Sequence, residues 1–237
     1  MKTAIVTGAS AGIGLEISKI LAEDGFKVFG ISRNFQKCTF ESDDFQKIEC
    51  DITITNELVK TVKEITKVSP QIDLLVNNAG LGVFGQLETI SGSDIKKMVD
   101  TNLTAPIILT RLLINRLKES NGKIINISSI AATEQKAKGT VYSATKAGLL
   151  QFGEALFEEV RKDGVSVTTI LPDMTTGTDF YDASDFEPFS SSETAMEPST
   201  VALCVLNILN QPDGTVLTQV RLKPQKFRLN KKNSKKQ

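Results

Sequence analysis

The chain has 237 residues, 40% of them hydrophobic, enough for one sizeable core. Its 28 basic and 28 acidic residues cancel, so no overall field draws it to nucleic acid or to an anionic membrane, and without a secretory apolar segment or an 18-residue apolar run it reads as a soluble cytoplasmic protein. Histidine is absent, which removes Ser-His-Asp hydrolysis, His-ligated metals and imidazole acid/base chemistry, while the three cysteines Cys38, Cys50 and Cys204 lack metal-type spacing and are odd in number, so neither a metal site nor a disulfide framework is expected.

An apolar strand pattern from Thr3 to Thr7 runs into Gly8-Ala9-Ser10-Ala11-Gly12-Ile13-Gly14, and a helix pattern follows from Ile13 to Asp24. Glycines let the backbone turn sharply and approach a pyrophosphate, and the helix aims its positive end at it, so the segment reads as a phosphate-binding turn, although its order is G-x-x-x-G-x-G and not the usual G-x-G-x-x-G. Strands are expected near 3–7, 27–32, 45–49, 73–77, 123–127, 165–171 and 216–221, alternating with amphipathic segments that include Thr55 to Val68, Leu103 to Glu119 and Val141 to Lys162. That alternation predicts an α/β, doubly wound parallel β-sheet with helices on both faces, a Rossmann fold in a single domain over residues 1–222. Ligands of such sheets bind beyond the carboxyl ends of the strands, and Gly8, Arg33, Asp51, Asn77, Ser129 and Pro172 follow the first six strands in turn.

After the second strand stands Ser32-Arg33-Asn34, with no acidic side chain to hold a ribose hydroxyl. The Arg33 guanidinium can pair with a 2′-phosphate or stack on adenine, or it can be a solvated loop residue. Asp51 suits the start of the helix from Thr55. Further on, Tyr142 and Lys146 lie four apart in one helix pattern and therefore on one face. A phenol ionises near about 10 and a neighbouring ammonium favours the phenolate, so the pair can donate or accept a proton. In a chain without histidine, Tyr142 is the leading acid/base candidate.

Taken with Asn77-Asn78-Ala79-Gly80, Asn126-Ile127-Ser128-Ser129 and Asp100-Thr101-Asn102-Leu103, these segments resemble the short-chain dehydrogenase/reductase family, whose TGxxxGIG turn, NNAG segment, mid-chain Asn, Ser and YxxxK appear in the same order from about Thr3 to Pro172. The resemblance implies an NADP(H)-dependent oxidoreductase that interconverts a carbonyl and an alcohol by hydride transfer. By resemblance Tyr142 is the proton donor, Ser129 holds the carbonyl oxygen, Lys146 lowers the Tyr142 pKa and binds the nicotinamide ribose, and Asn102 anchors a water leading to the lysine. It likewise implies cofactor contacts from Gly8, Ser10, Gly12, Ile13, Gly14, Arg33, Asp51, Ile52, Asn78, Ala79, Gly80 and Pro172, as well as from Tyr142 and Lys146.

Two departures stand out. The family usually has Pro-Gly after the sixth strand, but here Pro172-Asp173 occurs, and Thr175, Thr176 or Thr178 could supply a hydroxyl to the nicotinamide carboxamide. The chain also ends in a basic segment, 223–237, read as a partly disordered tail; Arg221 to Gln237 holds eight basic residues and no acidic one. The loop that covers substrate in the family, 173–197 here, carries seven acids (Asp173, Asp179, Asp182, Asp185, Glu187, Glu193 and Glu197) and the aromatics Phe180, Tyr181, Phe186 and Phe189. The acids either solvate a mobile lid or repel anions, which favours a neutral small-molecule substrate. The alternatives are a 3-oxoacyl thioester reductase and an idle dinucleotide-binding sensor or scaffold; epimerisation or dehydration would need a substrate domain for which the chain has little room. The two helices from Leu103 and Val141 are expected to pair across a twofold axis in a homodimer or homotetramer.

Overall fold

Each central strand is apolar toward both sides, the pattern of a parallel sheet covered twice. In β1 (Lys2–Thr7) Ala4 and Val6 enter one layer while Ile5 enters the other. The same split separates Val28 from Phe29 in β2 (Phe26–Ser32), Val76 from Leu75 in β4 (Leu74–Asn77), and Ile125 from Ile124 in β5 (Lys123–Ile127). With β3 (Phe45–Glu49), β6 (Ser166–Pro172) and β8 (Gln219–Leu222) they form a seven-stranded, all-parallel sheet in the order β3-β2-β1-β4-β5-β6-β8. This is a Rossmann-type doubly wound sheet in one domain, as the alternation predicts. Residues 1–134, 137–177, 180, 186–188, 191, 193–226 and 229–231 are those described in this computed structural model.

One layer is α1 (Gly12–Glu23) packed on α6 (Pro198–Leu209), through Ile17, Leu21, Val201 and Val205. The other is α2 (Thr55–Val68), α4 (Ala105–Glu119) and α5 (Thr140–Val160), which bury Leu58, Ile65, Leu109, Leu113 and Val160. A short helix, α3 (Gly92–Val99), is capped by Ser91, whose hydroxyl accepts from the Asp94 N–H at 3.1 Å. Among the described residues no helix is long and apolar enough to cross a membrane.

Several boundaries differ from the sequence expectation for local reasons. The helix expected from Leu103 begins at Ala105, because Asp100–Thr104 form a π-helical turn continuous with α3 and α4. That turn inserts an extra residue and carries Asn102 inward. The last strand of the sheet starts at Gln219 and not at 216, since a turn at Gly214 (φ +79°) is closed by the Thr215 N–H on the Pro212 carbonyl. Within the basic C-terminal segment, which the sequence presents as a tail, Leu229–Lys231 form β9, antiparallel to β7 (Phe186–Pro188) of the loop after β6.

Candidate active site

The sheet order reverses between β1 and β4, and their carboxyl ends open the crevice that such folds use for ligands. Gly8 takes φ +68° and Gly12 φ +54°, which a side chain would resist. A Cβ at Gly14 would stand 2.2 Å from the Gly8 carbonyl oxygen and 2.4 Å from Asn78 Nδ2, so only glycine fits where helix meets strand. The turn is held from below: Gly8 donates to the Ile31 carbonyl at 2.8 Å, and the Ser10 and Ser32 hydroxyls share a bond of 2.8 Å. At the start of α1, Ala11 offers no side-chain cap and the first turn holds no acid. The N–H groups around Gly12 and Ile13 are therefore left for an anion, which is the fit a dinucleotide pyrophosphate requires.

Asn78 acts as a clamp. Its Nδ2 donates to the Thr7 carbonyl at 2.9 Å and the Gly8 carbonyl at 3.3 Å, while the backbone N–H groups of Asn78 and Ala79 both donate to the Thr7 hydroxyl at 3.0 Å. Thr7, the first residue of the TGxxxGIG turn, thus builds the site from below. Arg33 is exposed just past β2, with no ion-pair partner among the described residues. Asp51 is engaged locally: its Oδ1 accepts from the Thr53 N–H (2.9 Å) and hydroxyl (2.7 Å), an Asx turn leading into α2, while Ile52 packs on the core behind it.

Across the crevice α5 presents Tyr142 and Lys146 from one face, both buried. Burial pushes the Tyr142 phenol up to about 12, against a hydrogen bond from Ser129 that lowers it. Burial brings the Lys146 ammonium down to about 8, and its Nζ donates to the Ile127 carbonyl at 2.9 Å and lies 5.8 Å from the Tyr142 ring centroid. The resemblance implied a phenol whose pKa Lys146 lowers; in this geometry desolvation dominates and the phenol keeps its proton at neutral pH. Ser129 follows β5, and its Oγ accepts from the Ala131 N–H at 3.2 Å. Ser129, Tyr142 and Lys146 are thus together, within one pocket wall.

Asn102 lies below them. Its Oδ1 accepts from the Leu81 N–H (2.9 Å), and its Nδ2 donates to the Leu81 carbonyl (2.9 Å) and the Thr145 hydroxyl (3.0 Å). The Thr145 hydroxyl in turn donates to the Tyr142 carbonyl at 2.7 Å, so the π-helical turn braces the first turns of α5. Gly80 sits between, where a Cβ would be 3.2 Å from Lys146 Nζ and 3.4 Å from Asn102 Oδ1. Pro172 closes β6, and Asp173 turns its Oδ1 onto the Met174 N–H at 2.8 Å. The Thr175 hydroxyl donates to the Asp173 carbonyl, that of Thr176 to Glu197 Oε1, and Thr178 lies outside the described residues.

The remaining wall is apolar: Leu81, Val83, Phe84, Met98, Val141 and Phe180 surround Tyr142. The rings of Phe84, Tyr142 and Phe180 stand 5.4, 5.5 and 6.1 Å apart, centroid to centroid. Phe84 carried no sequence signal, since a lone Phe in a loop has no periodicity to mark it. Among the loop acids, Glu193 pairs with Lys226 at 2.7 Å and Glu197 accepts from Thr176, so these two serve the loop framework and not the pocket. Asp179, Asp182, Asp185, Tyr181 and Phe189 lie outside the described residues.

A glycine turn with free N–H groups, beside buried Tyr142 and Lys146 and half-buried Ser129 at the switch point of a doubly wound sheet, has the architecture of a nucleotide-dependent oxidoreductase. The pattern of the short chain dehydrogenase family matches residues 2–186, and the chain belongs to that family. A Staphylococcus aureus protein called an uncharacterized oxidoreductase is 30% identical over 231 residues, spanning 94% of this chain and 97% of its own. The ketoacyl reductase HetN of a Nostoc species is 35% identical over 179 residues, 72% of this chain and 62% of that protein. Among solved structures, the closed form of a serine dehydrogenase complexed with NADP+ superposes with a TM-score of 0.85 at 29% identity, over 94% of both chains.

Proposed function

We propose that this oxidoreductase is an NADP(H)-dependent carbonyl reductase, or an alcohol dehydrogenase in reverse, acting on a neutral compound with apolar bulk. The observation that carries it is the buried Tyr142 phenol, hydrogen-bonded to Ser129 and facing an apolar wall, beside Lys146. The nicotinamide supplies the hydride. Tyr142 holds the proton for the nascent alkoxide, Ser129 orients the carbonyl oxygen, and the Lys146 ammonium is near enough to stabilise the phenolate left behind. Gly8, Gly12, Ile13 and Gly14 would hold the pyrophosphate, Asn78, Ala79 and Gly80 the adjoining wall, and Asp51 and Ile52 the adenine edge.

Arg33 favours NADP(H) over NAD(H), because it is exposed past β2 where a 2′-phosphate would lie and no acid stands there. The complex of the serine dehydrogenase with NADP+ supports the same choice. NADPH should bind roughly tenfold tighter than NADH, and Arg33→Ala should erase the difference. Fluorescence titration of both nucleotides reads this, and equal affinities would refute the choice.

NADPH oxidation against neutral ketones, aldehydes and diketones, each beside a carboxylated or phosphorylated analogue, tests the reaction. Preference for an anionic thioester would put the 3-oxoacyl thioester reductase first, a reading the HetN similarity favours. Tight NADPH binding with no turnover on any carbonyl would instead mean a sensor or scaffold.

A further inference from the structure

Two segments carry opposite charge. The loop 173–197 has seven acids and no Lys or Arg, and Arg221 to Gln237 has eight bases and no acid. In the fold they meet. Leu222, the last residue of β8, accepts the Asp173 N–H at 2.9 Å where the loop begins. Lys223 pairs with Glu134 at 2.5 Å, in the segment that follows Ser129. The side chain of Lys226 pairs with Glu193 at 2.7 Å and its N–H donates to the Glu193 carbonyl at 2.6 Å. Beyond it β9 pairs antiparallel with β7, in the register Phe186 to Lys231 and Pro188 to Leu229.

The loop is also closed at its neck. Met196 donates to the Met174 carbonyl and accepts from the Thr176 N–H, both at 2.9 Å. From this neck Phe180 reaches Tyr142 and Phe84, and the rings of Phe84 and Phe180 press on Gly82, where a Cβ would stand 2.8 Å from Phe180 Cζ and 2.7 Å from Phe84 Cε2. Among the described residues the loop therefore has two tethers, its own neck and the C-terminal segment. The second is an ion pair of mostly exposed groups, Lys226 and Glu193 being 63% and 60% accessible.

We propose that the C-terminal segment, through Lys223, Lys226 and β9, is a strap that positions the substrate loop, and through it Phe180 over Tyr142, making it a specificity-determining element of the enzyme. This rests on the carbonyl reductase reading for its effect on substrate, although the strap itself is a property of the fold. The tie is complementary in charge and formed in cis, so it acts on how substrate is admitted and leaves the phosphate-binding turn, on the far side of the crevice, untouched. Lys226 is a positioning residue in this account; it touches neither substrate nor cofactor.

The test uses the full chain. Asn230→Pro removes a backbone donor from the middle of β9, and Lys226→Glu sets like charges together. Asn230→Pro should raise KM for the carbonyl roughly fivefold, and Lys226→Glu roughly threefold, with NADPH affinity unchanged. Lys226→Glu combined with Glu193→Lys should return KM to near the original value. Hydrogen exchange at the Thr176 and Met196 amides, followed without substrate, should quicken in Asn230→Pro by roughly tenfold. KM and exchange both unchanged in Asn230→Pro, or a charge exchange that restores nothing, would overturn the strap. Faster exchange in a protein that reduces no carbonyl would leave the strap standing and refute the proposed reaction.

Discussion

Replacing Lys146 with Met should abolish turnover and yet make the folded protein more stable at neutral pH. The side chain is 3% exposed, and burial brings its pKa from the ordinary 10.5 to about 8. That fall corresponds to about 3 kcal/mol of unfavourable burial at 1.36 kcal/mol per pKa unit. The penalty is full below pH 8, where the folded state must carry the charge. It fades as pH rises toward 10.5, because there the unfolded chain still binds the proton and the folded one does not. Against it stands the hydrogen bond to the Ile127 carbonyl, 2.9 Å long and worth about 1.5 to 3 kcal/mol for a charged donor. Methionine fills much of the same volume without the charge, so Lys146→Met should gain up to about 2 kcal/mol at pH 7, a rise of up to roughly 8 °C in Tm for a chain of this size. By pH 10 only about 1 kcal/mol of the penalty is left, and the lost hydrogen bond should cancel or reverse the advantage. Thermal and urea unfolding of both proteins at pH 7, 8.5 and 10, without nucleotide, measures this. A stability difference that does not change between pH 7 and 10 would refute the reasoning, as would a variant markedly less stable than the parent at pH 7.

Tyr142→Phe should lower turnover by at least roughly a hundredfold while NADPH affinity stays nearly constant, since only the proton donor is removed; near-normal turnover would mean that the acid lies elsewhere. Carbonyl reduction should decline as pH rises through about 8, where Lys146 loses its proton, and not through the ionisation of Tyr142 near 12; a pH profile flat to pH 10 would contradict the role given to the lysine. The protein should also assemble as a dimer or tetramer through α4 and α5, on the former of which Ile107 remains 37% exposed, and light scattering that returns a monomer mass across micromolar concentrations would oppose it.

The elements easiest to read in the sequence were those with local physical causes. Alternating short apolar strands and amphipathic segments gave the parallel sheet because burial on both faces leaves no polar side to disguise the pattern. Glycine marked the nucleotide turn because contacts such as that between Gly14 and the Gly8 carbonyl exclude every other residue. What stayed hidden depends on partners distant in sequence. Thr7 opens the TGxxxGIG turn, but that it holds the Asn78 segment from across β1 and β4 is not written in that motif, and Thr145, which joins Asn102 to Tyr142, is an ordinary threonine in its own window. The direction of the Tyr142 shift was likewise beyond reach, for the spacing to Lys146 is local whereas the desolvation comes from Phe84, Phe180 and Met98, supplied by three separate segments.

Each of the two charged segments, alone in the sequence, is adequately explained as solvated chain. Their meeting bears on how substrate is chosen. Acids lining a free lid would repel an anionic substrate, but Glu193 is answered by Lys226 and Glu197 is held by the Thr176 hydroxyl. The apolar wall of Leu81, Val83, Phe84 and Phe180 offers selection by shape and desolvation instead. An anionic group pressed against that wall loses its hydration, and the Lys146 ammonium near it is already engaged by the Ile127 carbonyl, whereas a neutral ketone surrenders little. The case for a neutral substrate therefore does not depend on repulsion by the lid, and it should persist at high salt, where repulsion between exposed charges is screened and the cost of desolvation is not.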